Sequence, residues 1–219
     1  MKKLIIWDFD GVVADTEKLW IETRKNMINK NFGKNWSFET AFEILSGTAD
    51  KDKKFILKNL GIEVDDNFWV EAHKEDMKKI SNGIETTKNI EEVFKLKQFE
   101  HCIATGGNLT RTNIKIEKTG IRSYFDETKV FTSDLVERGK PEPDLFLLAA
   151  KKMGFEPKDC IVIEDSVAGL QAAKKAGMFS IAFVAYNKPN VVEKIKELKI
   201  EHIFCDMLDI KDFLLNNFD

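Results

Sequence analysis

Through most of the chain, short apolar runs alternate with longer stretches of helical spacing. Leu4–Trp7 is apolar throughout and stops at Asp8, as a strand buried on both faces does when it reaches a polar edge. Comparable runs recur at His101–Thr105, Lys129–Thr132, Cys160–Glu164, Phe179–Val184 and His202–Cys205. Between them the apolar residues return every three or four positions. Pro143–Met153 places a proline in a first helical turn and is followed by Gly154 as a C-cap. Val167–Ala176 is closed by Gly177, and the stretch after Thr110 by Gly120. Strands alternating with helices of this length predict an α/β fold, a doubly wound, Rossmann-like parallel sheet covered on both faces.

The segment from Thr16 to about Ile80 breaks that alternation. Trp20, Met27, Phe38, Phe42, Leu45, Phe55, Ile56, Leu60, Phe68, Trp69 and Ala72 follow helical spacing, with Gly33, Gly47 and Gly61 as punctuation and no strand pattern. The organisation expected is a core domain of residues 1–15 and 82–219, interrupted by a helical domain of residues 16–81, with hinges near Asp15 and Gly83.

Composition narrows the function classes. Over 219 residues, 43% are hydrophobic, enough for a real core and against disorder. The formal charge of -3 arises from 34 basic and 37 acidic residues interspersed, so no basic stripe for nucleic acid is present. No stretch approaches the ~18 apolar residues that span a bilayer, and the apolar run after Lys3 ends at Trp7, too short for a signal peptide. Cys102, Cys160 and Cys205 are odd in number and far apart, which points to reduced thiols and a cytoplasmic protein. His73, His101 and His202 are scattered and read as structural or exposed.

The candidate chemistry lies where the expected strands end, because ligands of doubly wound sheets gather at carboxyl ends. The first run meets Asp8-Phe9-Asp10-Gly11; were the strand to continue through residue 10, Asp8 and Asp10 would face one side. The run at Cys160 ends in Glu164-Asp165. Carboxylates converging on one point repel unless a cation lies between them, and hard oxygens suit magnesium. Alone, an Asp-x-Asp pattern is as often an acidic turn. The run at His101 ends Thr105-Gly106-Gly107, a hydroxyl and small residues that let backbone N–H groups approach an anion, though a glycine-rich turn reads the same way. Lys140 sits in Gly-Lys-Pro-Glu-Pro-Asp, where two prolines stiffen the chain around it. A lysine is usually a solvated surface residue, so this setting matters more than the charge.

Together, DFDGVVADT, the Thr105 strand end, GKPEPD and IVIEDSVAGLQAAKKAGM resemble the haloacid dehalogenase superfamily. The resemblance is to the branch with a helical cap after the first motif, alongside β-phosphoglucomutase and the sugar-phosphate phosphatases, and it covers nearly the whole chain. It implies Asp8 as the nucleophile that forms an aspartyl-phosphate and Asp10 as general acid, then base. It implies Thr105, with Gly106 and Gly107, as phosphoryl contacts and Lys140 as the group that orients Asp8. It further implies magnesium held by Asp8, Asp165, the Asp10 carbonyl and Glu164, the last directly or through water. Dehalogenases of the superfamily generally lack an acid at the position of Asp10, since halide leaves without a proton, so phosphate-ester chemistry is implied.

Phosphatase and mutase share that intermediate and differ in the acceptor. The mutase pattern has a histidine and an arginine where this chain has Trp20 and, nearby, Asp50; the one cannot hydrogen-bond as histidine does and the other would repel a second phosphate. The expectation is therefore a magnesium-dependent monomeric phosphatase of a small phosphorylated sugar or sugar acid, with Thr16, Trp20, Ser46, Thr48 and Lys51 as candidate substrate contacts. Trp20 reads equally as a core aromatic. A phosphosugar mutase and a non-catalytic binding module are the alternatives.

Overall fold

The computed structural model describes residues 2–46, 50–186 and 189–218, without the side chains of residues 50–52, 189 and 190. The chain divides into two compact units, one of residues 1–14 and 85–219 and one of residues 15–84.

The larger unit is built on a six-stranded sheet. Its strands are β1 (Lys3–Trp7), β2 (Phe99–Thr105), β3 (Val130–Thr132), β4 (Cys160–Glu164), β5 (Phe179–Phe183) and β6 (Ile203–Phe204). They lie in the order β3-β2-β1-β4-β5-β6, every pairing parallel. This is the doubly wound arrangement expected from the alternation of runs. β1 sits at the centre, with Ile6 opposite Cys102 on one side and Val162 on the other. Because side chains alternate, Leu4, Ile6, Cys102, Ala104, Cys160 and Val162 point to one face. On the other face Trp7 meets Phe94 edge-on, with ring centres 5.0 Å apart.

The smaller unit supplies four helices: α1 (Thr16–Phe32), α2 (Phe38–Leu45), α3 (Asp50–Asn59) and α4 (Asp66–Ser81). Asp15, Ser37 and Asp65 cap α1, α2 and α4, each accepting a hydrogen bond from a backbone N–H in the first turn. Ile28, Leu45, Leu57, Ile62, Val64 and Phe68 form its own core. Across the described residues of this segment the secondary structure is helix and turn, without a strand.

The larger unit is completed by α5 (Ile90–Phe94), α6 (Leu109–Thr119), α7 (Asp144–Met153), α8 (Val167–Lys175), α9 (Pro189–Glu197) and α10 (Met207–Asn217). Leu145, Phe146, Ala149 and Ala150 of α7 and Ala172 and Ala173 of α8 cover the face that carries Ile6. Gly120 and Gly154 close α6 and α7 in the left-handed region, at φ 74° and 80°. Pro143 stands just outside α7, at its N-cap, instead of in the first turn. Among the described residues no helix is long and apolar enough to cross a membrane.

β1 ends at Trp7, where the apolar run stops, so the condition of a strand continuing through residue 10 is not met. The backbone leaves the sheet because Asp8 N–H still donates to Ile163 O (3.0 Å) while Val13 and Ala14 N–H turn back onto Phe9 O (2.9 and 3.1 Å). Alternation therefore does not set Asp8 and Asp10 side by side. A tight turn does.

Candidate active site

The strand order reverses direction at β1: β2 and β3 lie to one side of it, β4 to β6 to the other. A crevice opens at such a switch point, at the carboxyl ends of the strands on either side. Here those ends are Asp8, after β1, and Glu164, the last residue of β4, with Asp165 following. One carboxylate oxygen from each of the three lies within 4.8 Å of the others.

Gly11 makes that approach possible. Its φ of 86° suits glycine, and a Cβ there would collide with the Asp165 carboxylate. Asp165 thus lies directly against the backbone of the turn that carries Asp8 and Asp10.

Lys140 reaches into the cluster from the segment before α7. Its ammonium donates to Asp8 Oδ1 (2.5 Å), Glu164 Oε2 (2.7 Å) and Ala104 O (3.1 Å), and stands 4.9 Å from the centre of the Phe146 ring. The other Glu164 oxygen accepts from Ser166 N–H (2.9 Å) and Ser166 Oγ (2.8 Å). Both oxygens of Glu164 are therefore fixed, and Lys140 bridges it to Asp8.

The charges do not balance. Burial raises the Asp8 pKa, and Glu164 adds to the rise; Lys140 opposes both, and the group settles at about 7 instead of 3.8. For Lys140, burial works against the charge, but Asp8 and Glu164 outweigh it and hold the ammonium above its ordinary range. Burial likewise disfavours Glu164 as an anion, yet Lys140 and the Ser166 hydrogen bonds keep its carboxyl below the usual value. One ammonium stabilises one buried carboxylate fully and leaves Asp8 short of positive charge. The donor set is all oxygen, partly open at Asp165, and deficient in counter-charge. It fits a hard divalent cation such as magnesium.

Asp10 goes elsewhere. Both of its carboxylate oxygens accept from Lys115 Nζ, at 2.7 and 2.6 Å. Sequence reasoning passed over Lys115 because a lysine in the helical stretch LTRTNIKIEKT looks solvated. The available signal is its place on the face of α6 shared by Thr112 and Ile116, both buried.

Thr105 ends β2 and is buried, and its Oγ1 accepts from Gly107 N–H at 3.3 Å. Gly106 is exposed and Gly107 half-buried at the same turn. Thr16 and Trp20 belong to the helical unit, in the first turns of α1; Thr16 is buried and Trp20 half-buried. Ser46 caps the end of α2 and donates to Glu17 Oε1 (2.9 Å). Thr48 lies outside the described residues, as do Gly47 and the side chains of Asp50 and Lys51.

The histidines take no part in the acidic cluster. His101 is buried and accepts from Trp7 Nε1–H (3.2 Å), while His202 stacks on Phe179, with ring centres 5.0 Å apart.

The family model for haloacid dehalogenase-like hydrolases matches residues 5–183. This chain belongs to that family. The match takes in the Asp8 turn, the Thr105 strand end, Lys140 and the Glu164-Asp165 pair. A phosphorylated carbohydrates phosphatase from Thermotoga maritima is 29% identical over 189 residues, 84% of this chain and 85% of the relative. Among solved structures, a conserved haloacid dehalogenase-like protein of unknown function from Agrobacterium tumefaciens superposes with a TM-score of 0.89 at 23% identity, over 100% of both chains. A putative beta-phosphoglucomutase from Thermotoga maritima gives 0.76 at 24% identity, over 97% of this chain and 99% of that one. At these identities the structures establish a shared fold.

Proposed function

We propose that the chain is a magnesium-dependent phosphatase of small phosphorylated metabolites, sugar or sugar-acid phosphates, that works through an aspartyl-phosphate on Asp8. The observation that carries this reading is the Asp8 carboxylate held by Lys140 beside Glu164 and Asp165 at the switch point of the sheet. Family membership and the phosphorylated-carbohydrate activity named for the Thermotoga relative support it.

Asp8, Asp165 and Glu164, with the Asp10 carbonyl, would hold the cation. Bound there, magnesium offsets the charge of the Asp8 carboxylate and of the phosphoryl oxygens.

In the first step an Asp8 oxygen attacks phosphorus as the bond to the ester oxygen breaks. Asp10, as the acid, gives its proton to the departing alkoxide, which leaves as the alcohol. In the second step a water oxygen attacks the same phosphorus, its proton passes to Asp10, and the bond from phosphorus to Asp8 breaks to release phosphate. Each turn consumes one water and restores both carboxyl groups. Lys140 holds the attacking carboxylate and offsets charge throughout, and the Thr105 hydroxyl with the Gly106 and Gly107 amides receives a phosphoryl oxygen. Phosphoryl transfer asks mainly for positioning and electrostatic stabilisation, which these groups supply.

The helical unit acts as the cap in this reading, with Thr16 and Trp20 as substrate contacts on α1, and with Thr48 and Lys51 as further contacts. Trp20, where the mutase pattern has histidine, and Asp50, near where it has arginine, favour water over a sugar hydroxyl as the acceptor.

The deciding experiment is phosphate release from p-nitrophenyl phosphate and a panel of sugar, polyol and sugar-acid phosphates, with magnesium and with EDTA. Release that needs magnesium and disappears in Asp8→Asn supports the proposal. Conversion of β-glucose 1-phosphate to glucose 6-phosphate with a bisphosphate primer, followed by NMR, would make the chain a mutase. Absence of turnover over the whole panel would leave a binding module.

A further inference from the structure

Lys115 is the only lysine among the described residues that is fully withdrawn from solvent, at 4% exposed. A lysine normally keeps its ammonium in water, and burying that charge is tolerated only against a partner. Here the partner is Asp10, and among the described residues the Asp10 carboxylate has no other hydrogen-bond donor. The ammonium is fixed on further sides. It stands 4.8 Å from the centre of the Phe9 ring, which is itself fully buried. Gly107 lies close by: a Cβ there would stand 3.8 Å from Lys115 Nζ and 3.1 Å from Thr112 Oγ1.

The backbone of Asp10 is tied down by the turn, where Gly11 N–H donates to Ala14 O at 2.9 Å. Its side chain is not part of that turn and is 21% exposed. What sets the direction of the carboxylate is therefore a residue 105 positions away, on α6. We infer that Lys115 is the positioning residue of Asp10: it grips the carboxyl group so that the proton leaves from, and returns to, one fixed place. This rests on the proposed function, in which Asp10 is the acid of the first step and the base of the second.

The leaving group separates positioning by Lys115 from a merely structural role. An alkoxide needs a proton to depart, whereas p-nitrophenolate leaves without one. Cleavage of the ester bond is therefore measured in single turnover for p-nitrophenyl phosphate and for the best alkyl phosphate of the panel, in the parent, Lys115→Met, Asp10→Asn and the double variant. The expected result is a loss of about 100-fold on the alkyl ester with Lys115→Met, the low end of what a placed general acid contributes. The aryl ester should change by no more than about 3-fold, since it draws little on that contribution. In the Asp10→Asn background the Lys115 substitution should add nothing further, the signature of two groups acting as one. Lys115→Arg keeps the charge with a different reach; it should show the same selectivity for alkyl over aryl ester with a smaller loss, and it serves as the test if the methionine variant does not fold. Equal losses on both esters, or full additivity with Asp10→Asn, overturn the role assigned to Lys115 while leaving the phosphatase reading intact. A parent protein with no Asp8-dependent turnover overturns the phosphatase reading itself.

Discussion

Gly169 and Glu164 compete for one small volume: a Cβ at residue 169 would lie well inside van der Waals contact with the Glu164 carboxyl group. Gly169 stands in the first turn of α8, where its N–H donates to Ser166 Oγ (3.0 Å), the same hydroxyl that donates to Glu164 Oε1. The helix therefore starts against the carboxylate, and the glycine is what admits it.

Gly169→Ala is expected to separate stability from activity. Elsewhere in a helix this exchange stabilises by about 1 kcal/mol. Here the added methyl must push Glu164 off Lys140 and Ser166, and a misplacement of that size in a phosphoryl-transfer site costs about 100-fold in turnover. Phosphatase assays beside circular dichroism check this: a folded, helical and active alanine variant would show that the Glu164 position is not needed.

Asp8→Asn should remove turnover by at least about 1000-fold, since an amide cannot act as the nucleophile. The same change removes a carboxylate whose ionisation burial and Glu164 oppose. Metal-free Asp8→Asn is therefore expected to melt no lower than the parent at neutral pH, because Lys140 keeps Glu164 as its partner. Thermal melts in EDTA read this; a variant several degrees less stable would mean that the bond from Lys140 to Asp8 outweighs the repulsion.

Much of this site lies in residues whose types announce their chemistry. Asp8, Glu164 and Asp165 stand where apolar runs stop, and Lys140 lies between glycine and two prolines, so local pattern and residue type point the same way. The sheet was legible for the same reason, since runs such as Cys160–Glu164 are too short and too apolar for helices. The end of β1 was legible too, since the apolar run stops at Trp7; the turn that follows was not, because it is made by hydrogen bonds from Val13 and Ala14 to Phe9 O. Lys115 was invisible for a related reason. Its burial is a property of α6 packed against Phe9, and no neighbour in sequence records that contact.

His101 should make the fold sensitive to acid. Burial pushes its pKa down from 6.5 to about 4. Trp7 Nε1–H can only donate, so Nδ1 must be the unprotonated acceptor and Nε2 carries the hydrogen, 3.4 Å from Leu96 O. Between pH 6.5 and 4 the unfolded chain takes up a proton that the folded one refuses, so stability present above 6.5 is lost as pH falls through that window. The loss attributable to this group reaches about 3 kcal/mol at the acid end. Urea unfolding of the parent and of His101→Gln at pH 7, 5.5 and 4.5 measures it. The parent should lose more stability than the variant over that range, and parallel losses would assign the acid sensitivity to other groups.

In the helical unit, Arg24 of α1 and Asp76 of α4 form an ion pair at 2.5 Å whose side chains are 4% and 3% exposed. Arg24 Nη1 also donates to Trp20 O (3.2 Å), so the pair ties the backbone of α1 to α4. Two opposite effects compete at such a pair. Removing both charges costs little, because the desolvation penalty goes with them, whereas removing one leaves the other buried without compensation, at about 3–5 kcal/mol. Asp76→Asn should therefore destabilise the helical unit by about that amount, and Arg24→Met with Asp76→Leu should recover most of the loss. Because Trp20 sits one turn before Arg24, the single variant should also alter the ranking of substrates if α1 contributes contacts to them. Denaturant melts of the two variants beside the parent give the stability order, and the substrate panel gives the rest. A double variant less stable than Asp76→Asn would show that the pair contributes net stability and that packing alone cannot replace it.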